Sequence, residues 1–198
     1  MTDLFPLPDD ADIAGLRSRL AEQANDEELL DVAYRTLDTP VGVLLIAATP
    51  RGVVRIALPN VAEDEVLEDL ASRVSPRILR SPTTLDPVVR QLDDYFTGRQ
   101  HTFDVTLDFS LSHGFRKEVL LELRHVPYGE TRSYGDLAVA AGSPRAVRAV
   151  GTACATNPLP IIVPCHRITR SDGTLGNYGG GVEMKQALLL LEGAIHDE

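Results

Sequence analysis

The chain has 198 residues, of which 43% are hydrophobic and 24% charged, and its formal net charge is -10. A composition of this kind is typical of a folded globular protein and argues against wholesale disorder. No apolar run reaches the roughly 18 residues that a membrane-spanning helix needs, and the acidic N-terminus is not expected to act as a signal peptide.

The first third of the chain is predicted to form a helix followed by a β-hairpin. Apolar residues recur at helical spacing over residues 11–34, and we treat residues 1–33 as a helical N-terminal extension. From Tyr34 to Leu58 the pattern becomes that of apolar strands, with a turn at residues 49–52.

Alternating helices and a strand are expected next. Residues 63–74 have the pattern of a short acidic amphipathic helix, residues 82–97 that of a second helix, and residues 103–109 that of a strand. Residues 110–114 resemble a linker, which divides the chain into an N-terminal α/β domain over 34–110 and a C-terminal domain over 111–198.

A helix-turn-helix is predicted in the C-terminal domain. Ser133 and Asp136 have the spacing of a capping box at the start of one helix, which Gly142 ends. Ser143 and Pro144 then suit the N-cap and first position of a second helix. So tight a connection is typical of a DNA-binding helix-turn-helix, in which the second helix contacts the nucleic acid.

The second helix has an unusual surface, because Arg148 is the long side chain among small ones such as Ala146, Ala149 and Gly151. Small residues allow close approach to a DNA surface, and an arginine can enter a duplex and fill the space of an extruded base. The same residues would also suit tight helix packing with Arg148 simply exposed, and the segment alone leaves both interpretations open.

Charge is distributed unevenly along the chain. Residues 1–113 carry 10 Arg and 20 Asp or Glu, whereas residues 114–170 carry 8 basic and 4 acidic side chains. A basic region on an acidic protein can bind a phosphate backbone through few contacts and with modest affinity. A mixed solvated surface would have the same composition, so charge does not decide between the two.

Cysteine placement points to a thiolate site. Cys154 and Cys165 belong to no C-x-x-C pair, so we expect neither a structural zinc site nor a disulfide framework, and a reducing cytoplasmic location fits best. Pro164 precedes Cys165, and His166 follows it as a basic neighbour that can lower the pKa of a nucleophilic thiol. A Cys-His pair by itself is more often structural, so its flanking sequence decides the matter.

That flanking sequence resembles the O6-alkylguanine-DNA alkyltransferases, also called methylated-DNA–protein-cysteine methyltransferases. The resemblance holds without gaps from about residue 127 to residue 193 and only in outline before residue 110. It rests on these segments: 126–131, 133–135, 148–151, 157–158, 163–167, 173, 176, 178–181, 185, 188–189 and 192–193.

The resemblance implies an α+β fold, with an N-terminal ribonuclease-H-like α/β domain and a mostly helical C-terminal domain that contains the helix-turn-helix. It also implies a single-use (suicide) DNA repair protein. Such a protein binds double-stranded DNA through the minor groove, flips out an O6-alkylguanine and keeps the alkyl group on a cysteine. The expected substrates are O6-methylguanine and O4-methylthymine, although the sequence does not fix the second. We expect no cofactor, no metal, no membrane association and no obligate protein partner.

The resemblance further assigns roles to residues. Cys165 is the alkyl acceptor, His166 the base that acts through a water, and Glu192 the group that orients the histidine. Asn157 supports the turn that holds the site, and Tyr134 assists nucleotide rotation and supplies a proton toward the leaving guanine. The remaining members are a DNA-binding set and a base pocket: Arg148 as the finger with Tyr134, Gly135, Ala146 and Arg116, and then Tyr178, Gly179, Gly180 and Pro160.

Two other functions compete with this interpretation. An alkyltransferase-like protein would bind lesions without chemistry, but such proteins lack the acceptor cysteine, and Cys165 is present. A cysteine hydrolase could use Cys165, His166 and Glu192, and turnover on esters or amides would distinguish it from stoichiometric methylation.

Overall fold

The computed structural model describes residues 29–196 together with seven earlier positions, all of them helical: Asp12, Ile13, Gly15, Leu16, Arg19, Leu20 and Gln23. These seven positions agree with the helix predicted over residues 11–34, and the other residues before residue 29 lie outside the described part. The prediction is wrong at its end, because Val32 already begins a strand. In the described part no helix is long and apolar enough to cross a membrane.

The N-terminal part is built on a four-stranded sheet. Its strands are β1 (Val32–Thr39), β2 (Gly42–Thr49), β3 (Gly52–Ala57) and β4 (Ile78–Arg80), in the order β3-β2-β1-β4. The first three strands are antiparallel neighbours, of which β2 and β3 form the predicted hairpin around residues 49–52, and the short β4 pairs in parallel with β1.

Both faces of this sheet are covered, which explains why its strands have continuous apolar runs. Successive side chains of a strand point to opposite faces. Leu45 and Ala47 accordingly pack in one buried cluster with helix α1 (Glu63–Arg73), while Leu44 and Ile46 join another with helix α2 (Asp86–Phe96). A short 3-10 turn, Thr83–Leu85, leads into α2.

Residues 103–109 form no regular strand, contrary to the prediction. Leu107 makes an isolated bridge with Val53, whose amide and carbonyl bond to Thr106 and Asp108. The Gln91 side chain hydrogen-bonds to both the amide and the carbonyl of Asp104, so neither group is available to pair with a neighbouring strand. The alternation in the sequence thus reflects alternating burial and not sheet pairing.

The C-terminal part is mostly helical, which confirms the predicted fold class. It contains α3 (Gly114–Leu123), α4 (Tyr134–Ala140), α5 (Val147–Ala155) and α6 (Val182–Leu191). Two-residue strands β5 (Arg132–Ser133) and β6 (Ile168–Thr169) pair in parallel and place the start of α4 beside the segment that follows Cys165.

The helix-turn-helix consists of α4 and α5. Ser133 and Asp136 form the predicted capping box, and Gly142 has the positive φ of 71° that ends the first helix. The second helix starts later than predicted, because residues 143–146 form a turn in which the Ala146 amide bonds to the Ser143 carbonyl. Ala146, and not Ser143, is the N-cap of α5.

The two parts share one buried core. A single cluster joins Leu44 and Tyr95 of the first part to Val119, Cys165 and Leu188 of the second. Polar contacts also cross the junction. The Ile56 amide at β3 bonds to the Pro158 carbonyl at 2.8 Å, and Asn60 donates to the Gly179 carbonyl at 2.8 Å.

Candidate active site

Cys165 lies at the start of a 3-10 turn, Cys165–Arg167, and its side chain is buried. Asn157 organises the loop before it. The Asn157 amide nitrogen lies 3.1 Å from the Cys165 Sγ and 2.8 Å from the Val163 carbonyl, while its oxygen accepts from the Leu159 amide. The same loop contains Ile161 at φ 73°, a strained conformation for a β-branched residue. Asn157 thus braces a strained loop against the thiol, as its predicted role requires.

The Cys165 thiol is protonated in the resting protein. Burial raises its pKa to about 11, although the hydrogen bond from Asn157 and the charge of Lys185 act in the opposite direction. The sequence suggested a thiol already activated by basic neighbours. The structure instead places it where desolvation dominates, so the thiolate needs a base to remove its proton.

His166 is suited to be that base. It is completely buried, and burial lowers its pKa, so the imidazole is neutral at pH 7. Its Nε2 lies 2.8 Å from Glu192 Oε1. A neutral imidazole facing an ionised carboxylate carries its proton on that nitrogen, which leaves the lone pair on Nδ1. Nδ1 is buried and makes no hydrogen bond to the described residues.

Glu192 follows α6 and lies at the centre of a buried polar network. It accepts hydrogen bonds from His166, from Arg167 at 2.8 and 2.9 Å, and from the Tyr95 hydroxyl at 2.7 Å. Burial alone raises the pKa of a carboxyl group, but the bonds from His166 and Arg167 lower that of Glu192 to about 2. The carboxylate therefore stays ionised. Sequence reasoning anticipated the contact with His166 but missed those with Arg167 and Tyr95.

Lys185 is a second group that the predicted site lacked. Its side chain is fully buried in α6, and Nζ donates to the carbonyls of Ile168 and Leu175. Burial lowers its pKa to about 8, and the nearby Cys165 acts against this shift. Lys185 therefore supplies positive charge near the thiol. A lysine within a leucine-rich helix was the available sequence signal.

A cavity of 580 Å³ reaches the thiol from the junction of the two parts. It brings together six of the predicted site residues with residues of the N-terminal part that were not predicted, whereas His166 and Glu192 do not line it. The predicted members are Arg116, Asn157, Pro160, Cys165, Tyr178 and Gly179, and the others include Arg55, Leu58 and Asn60. The volume is typical of a small-molecule site.

Gly180 serves packing more than it serves the pocket. It does not line the cavity, and a Cβ added there would lie 2.3 Å from the Met184 sulfur and 3.2 Å from Leu58. Gly179 has only Leu58 within 4 Å of such an atom, so it leaves more room beside the cavity. The Tyr178 hydroxyl is buried without a partner among the described residues.

The predicted DNA-binding residues fall into two groups. Tyr134 and Gly135 begin α4, and Ala146 and the exposed Arg148 begin α5, where no hydrogen bond of the Arg148 side chain is found among the described residues. Arg116 lies apart from them, because it donates to the Leu111 carbonyl and to Thr156 at the other end of α5. Its guanidinium is thus engaged locally.

Tyr134 begins α4 and does not line the cavity, but its hydroxyl lies near the segment that leads to Tyr178. An added Cβ at Gly176, two residues before Tyr178, would lie 3.3 Å from the Tyr134 hydroxyl. Burial raises the pKa of Tyr134, and a thiolate at Cys154 or Cys165 would raise it further. Its hydroxyl therefore remains a proton donor.

Within the described residues no group of three His, Cys, Asp or Glu side chains could hold a metal ion.

Comparison with known families gives matches to both parts of the chain. Residues 32–109 match the ribonuclease-like domain of 6-O-methylguanine DNA methyltransferase, and residues 114–194 match its DNA binding domain. A methylated-DNA–protein-cysteine methyltransferase of Mycolicibacterium paratuberculosis is 39% identical over 161 residues, which are 81% of this chain and 92% of that protein.

Solved structures from Mycobacterium tuberculosis are similar over the same extent. Its O6-methylguanine methyltransferase superposes with a TM-score of 0.70 at 39% identity, covering 82% of this chain and 93% of the other. The protein solved in complex with DNA gives the same TM-score and identity, covering 81% and 92%.

Proposed function

The chain belongs to the 6-O-methylguanine DNA methyltransferase family, and from this premise we propose that it repairs O6-methylguanine in duplex DNA by irreversible transfer of the methyl group to Cys165. Its enzyme class is that of the methylated-DNA–protein-cysteine methyltransferases, which act in DNA repair. The buried series Cys165, His166 and Glu192 at the end of a cavity is the observation that supports the proposal for this chain.

The transfer is an in-line displacement at carbon. His166 Nδ1 accepts the thiol proton, either directly or through a water. Nε2 keeps its own proton, which is hydrogen-bonded to Glu192. The sulfur lone pair forms the S–C bond as the O6–C bond breaks, and the electron pair of the broken O6–C bond stays with the guanine. Asn157 and Lys185 stabilise the thiolate during this step.

The expelled guanine needs a proton or a hydrogen bond, and Tyr134 is the proposed donor because its hydroxyl stays protonated and lies near Gly176, two residues before Tyr178 of the cavity. The other product is a thioether. A thioether offers no ready leaving group, so the acceptor is consumed and each molecule acts once.

DNA is proposed to lie on α4 and α5 and to be bound through its minor groove. The target base must leave the stack to reach a buried thiol. The exposed Arg148 among small residues supports the role of a finger that fills the gap, and the cavity beside Tyr178 and Gly179 would receive the base. Arg116 is left out of the finger region because its local bonds hold it elsewhere.

Two finer features stay part of the proposal. O4-methylthymine is a second substrate with the same O-alkyl chemistry. A cytoplasmic, reducing location suits a protein whose function depends on a free thiol, and both cysteines are free.

The test is a titration of repair against protein. A duplex with one O6-methylguanine is incubated with increasing amounts of protein, and the remaining lesion is counted. We expect one lesion lost per protein molecule, none with Cys165→Ser, and full repair with Cys154→Ser as the matched control. Lesion binding without repair would favour the alkyltransferase-like function instead, and many turnovers per molecule would favour a hydrolase.

A further inference from the structure

The hydroxyl of Tyr95 links the N-terminal sheet domain to the catalytic network of the C-terminal part. We propose that Tyr95 is a positioning residue for alkyl transfer: its hydroxyl holds the Glu192 carboxylate where His166 needs it, so that the N-terminal domain helps to set the reactivity of Cys165. This inference rests on the proposed function, since it concerns the same site.

The contact is direct and buried. Tyr95 lies on α2 with no exposed surface, and its hydroxyl donates to Glu192 Oε1 at 2.7 Å across 97 residues of sequence. The same oxygen accepts from His166 Nε2 at 2.8 Å and from Arg167 Nη2 at 2.9 Å. Tyr95 therefore bonds to the very atom through which Glu192 acts on the histidine.

Packing alone does not account for a tyrosine at this position. The ring contacts Phe96, Phe103 and Tyr128 at centroid distances of 5.2, 5.4 and 6.1 Å, and a phenylalanine would make the same contacts. The hydroxyl adds a buried polar group, which is unfavourable unless it has a partner. Burial and the Glu192 carboxylate both raise the pKa of Tyr95 far above its ordinary value, so it is a permanent donor.

A neutral donor at Oε1 has a specific consequence. Arg167 donates to both oxygens of Glu192. This ion pair alone would hold the carboxylate in the position that suits the guanidinium, whether or not that position suits His166. The Tyr95 hydroxyl fixes Oε1 independently of the guanidinium. With Oε1 fixed, His166 keeps its proton on Nε2 and its lone pair on Nδ1, the arrangement needed to accept the thiol proton.

Other ionisable groups also face the site, and each of them contributes to how the reactivity of Cys165 changes with pH. Lys185 and Asn157 act on the thiol directly, and Arg167 and Lys185 act on the histidine. Further titratable side chains whose own pKa responds to Cys165 or Glu192 are Tyr128, Tyr134, Cys154 and Tyr178. None of these side chains is substituted when the Tyr95 hydroxyl alone is removed. A shift in the pH dependence of Cys165 reactivity therefore reports the loss of the hydrogen bond between Tyr95 and Glu192.

The experiment compares Tyr95→Phe with Tyr128→Phe. Tyr128 belongs to the same aromatic cluster, but its hydroxyl donates to the Leu191 carbonyl at 3.0 Å and not to the Glu192 carboxylate. Both variants are made in a Cys154→Ser background, so that alkylation by iodoacetamide reports Cys165 alone. Three quantities are measured: the pH midpoint of alkylation, the rate of methyl transfer from duplex DNA, and DNA affinity.

We expect Tyr95→Phe to raise the pH midpoint of Cys165 alkylation and to slow methyl transfer at pH 7 about tenfold, the usual effect of losing a hydrogen bond to a charged group. DNA affinity should change less than about twofold, because the DNA-binding helices are untouched. Tyr128→Phe should keep the parental midpoint and rate. In a Glu192→Gln background, Tyr95→Phe should produce no further shift of the midpoint, because the two residues act through one bond.

Three results would overturn the inference. These are a midpoint and rate that coincide with the parent protein, an equal change in Tyr128→Phe, or a shift that persists fully in the Glu192→Gln background. A lower melting temperature with an unchanged midpoint would assign Tyr95 a structural role only. Absence of methyl transfer by the parent protein would refute the proposed function instead, and the alkylation midpoints would still decide on Tyr95.

Discussion

At the scale of single residues, Cys165 is controlled by opposing effects of burial and charge. The desolvated site raises its pKa to about 11, which keeps the thiol protonated and protects it from adventitious electrophiles at neutral pH. Asn157 and Lys185 favour the thiolate but do not outweigh burial. The proposed reaction therefore depends on proton transfer to His166, whose Nδ1 is left free to accept a proton because Nε2 is hydrogen-bonded to Glu192.

Glu192 should make stability depend on pH. Its pKa of about 2 lies below the ordinary value of roughly 4.3, so its contribution is present above the unfolded pKa and is lost as pH falls toward 2. Glu192→Gln leaves the buried Arg167 charge unpaired and should cost about 3 kcal/mol at pH 7. Urea unfolding at pH 7 and pH 3 should show the gap between the two proteins narrowing in acid.

The matched control is Glu183→Gln, which removes an exposed carboxylate from the first turn of α6, the helix that Glu192 follows. It should change stability by less than roughly 0.5 kcal/mol at either pH. A gap between the parent protein and Glu192→Gln that stays constant from pH 7 to pH 3 would mean that ionisation of Glu192 does not support the fold.

Residue roles were predictable only where a local motif carried them. Cys165, His166 and Glu192 stand at motif positions, and the structure places His166 and Glu192 in contact. Tyr95 carries no such signal, because its contact with Glu192 spans 97 residues and arises from the packing of α2 against the C-terminal part. The raised pKa of Cys165 was equally beyond the sequence, since it depends on how completely the thiol is buried.

At the scale of secondary-structure elements, α5 is the one that carries the DNA-binding prediction. Its start is exposed through Arg148, whereas Val150, Ala153 and Cys154 are buried against the core. One helix thus presents small residues and a single long cation outward, while its other face packs in the buried cluster that contains Cys165.

Arg148→Ala should separate base flipping from chemistry. Repair of O6-methylguanine in a duplex should fall at least tenfold, because extrusion of the base loses the side chain that fills the gap. Reaction with the free base O6-benzylguanine, which needs no extrusion, should change less than about twofold. Rates on the two substrates are measured in parallel by loss of free acceptor.

Arg90→Ala serves as the control, since it removes an exposed arginine of α2 in the N-terminal part. It should leave both rates unchanged. An equal loss on duplex and free base in Arg148→Ala would show that Arg148 supports the fold and not the flipped state.

Elements that a local sequence pattern specifies were predicted well, whereas elements that depend on contacts with other parts of the chain were not. The hairpin of β2 and β3 followed from apolar runs separated by a turn, and the capping box of α4 from two residues. The Ser143-Pro144 pair resembled a helix start, but the chain makes a turn before α5. For residues 103–109, the Gln91 side chain competes for the backbone, which no pattern within the segment reveals.

At the scale of the whole molecule, charge is separated between the two parts of the chain. The acidic half carries a net charge of -10, and the basic region over residues 114–170 has an excess of four. Several of its eight cations already have partners within the fold. Arg167 is paired with Glu192, Arg132 is paired with Glu130, and Arg116 donates to the Leu111 carbonyl. Few phosphate contacts remain possible.

DNA binding should therefore depend only moderately on salt. With about two to four phosphate contacts, the slope of log K against log salt concentration should be about -2 to -4. Fluorescence anisotropy with an unmodified duplex between 50 and 200 mM salt measures it. Arg145→Ala, on the turn before α5, should make the slope shallower by about 1, and Arg90→Ala should leave it unchanged. A slope steeper than about -7 would require a phosphate-binding surface other than this region.

The central claim is that one thiol accepts one alkyl group and is then spent. The most direct measurement is the intact mass of the protein after incubation with excess duplex containing O6-methylguanine, followed by peptide mapping. We predict a single increase of about 14 Da, confined to the peptide with Cys165, and an amount of repaired DNA equal to the amount of protein. An adduct on Cys154, or repaired DNA in excess over protein with the mass unchanged, would contradict the account.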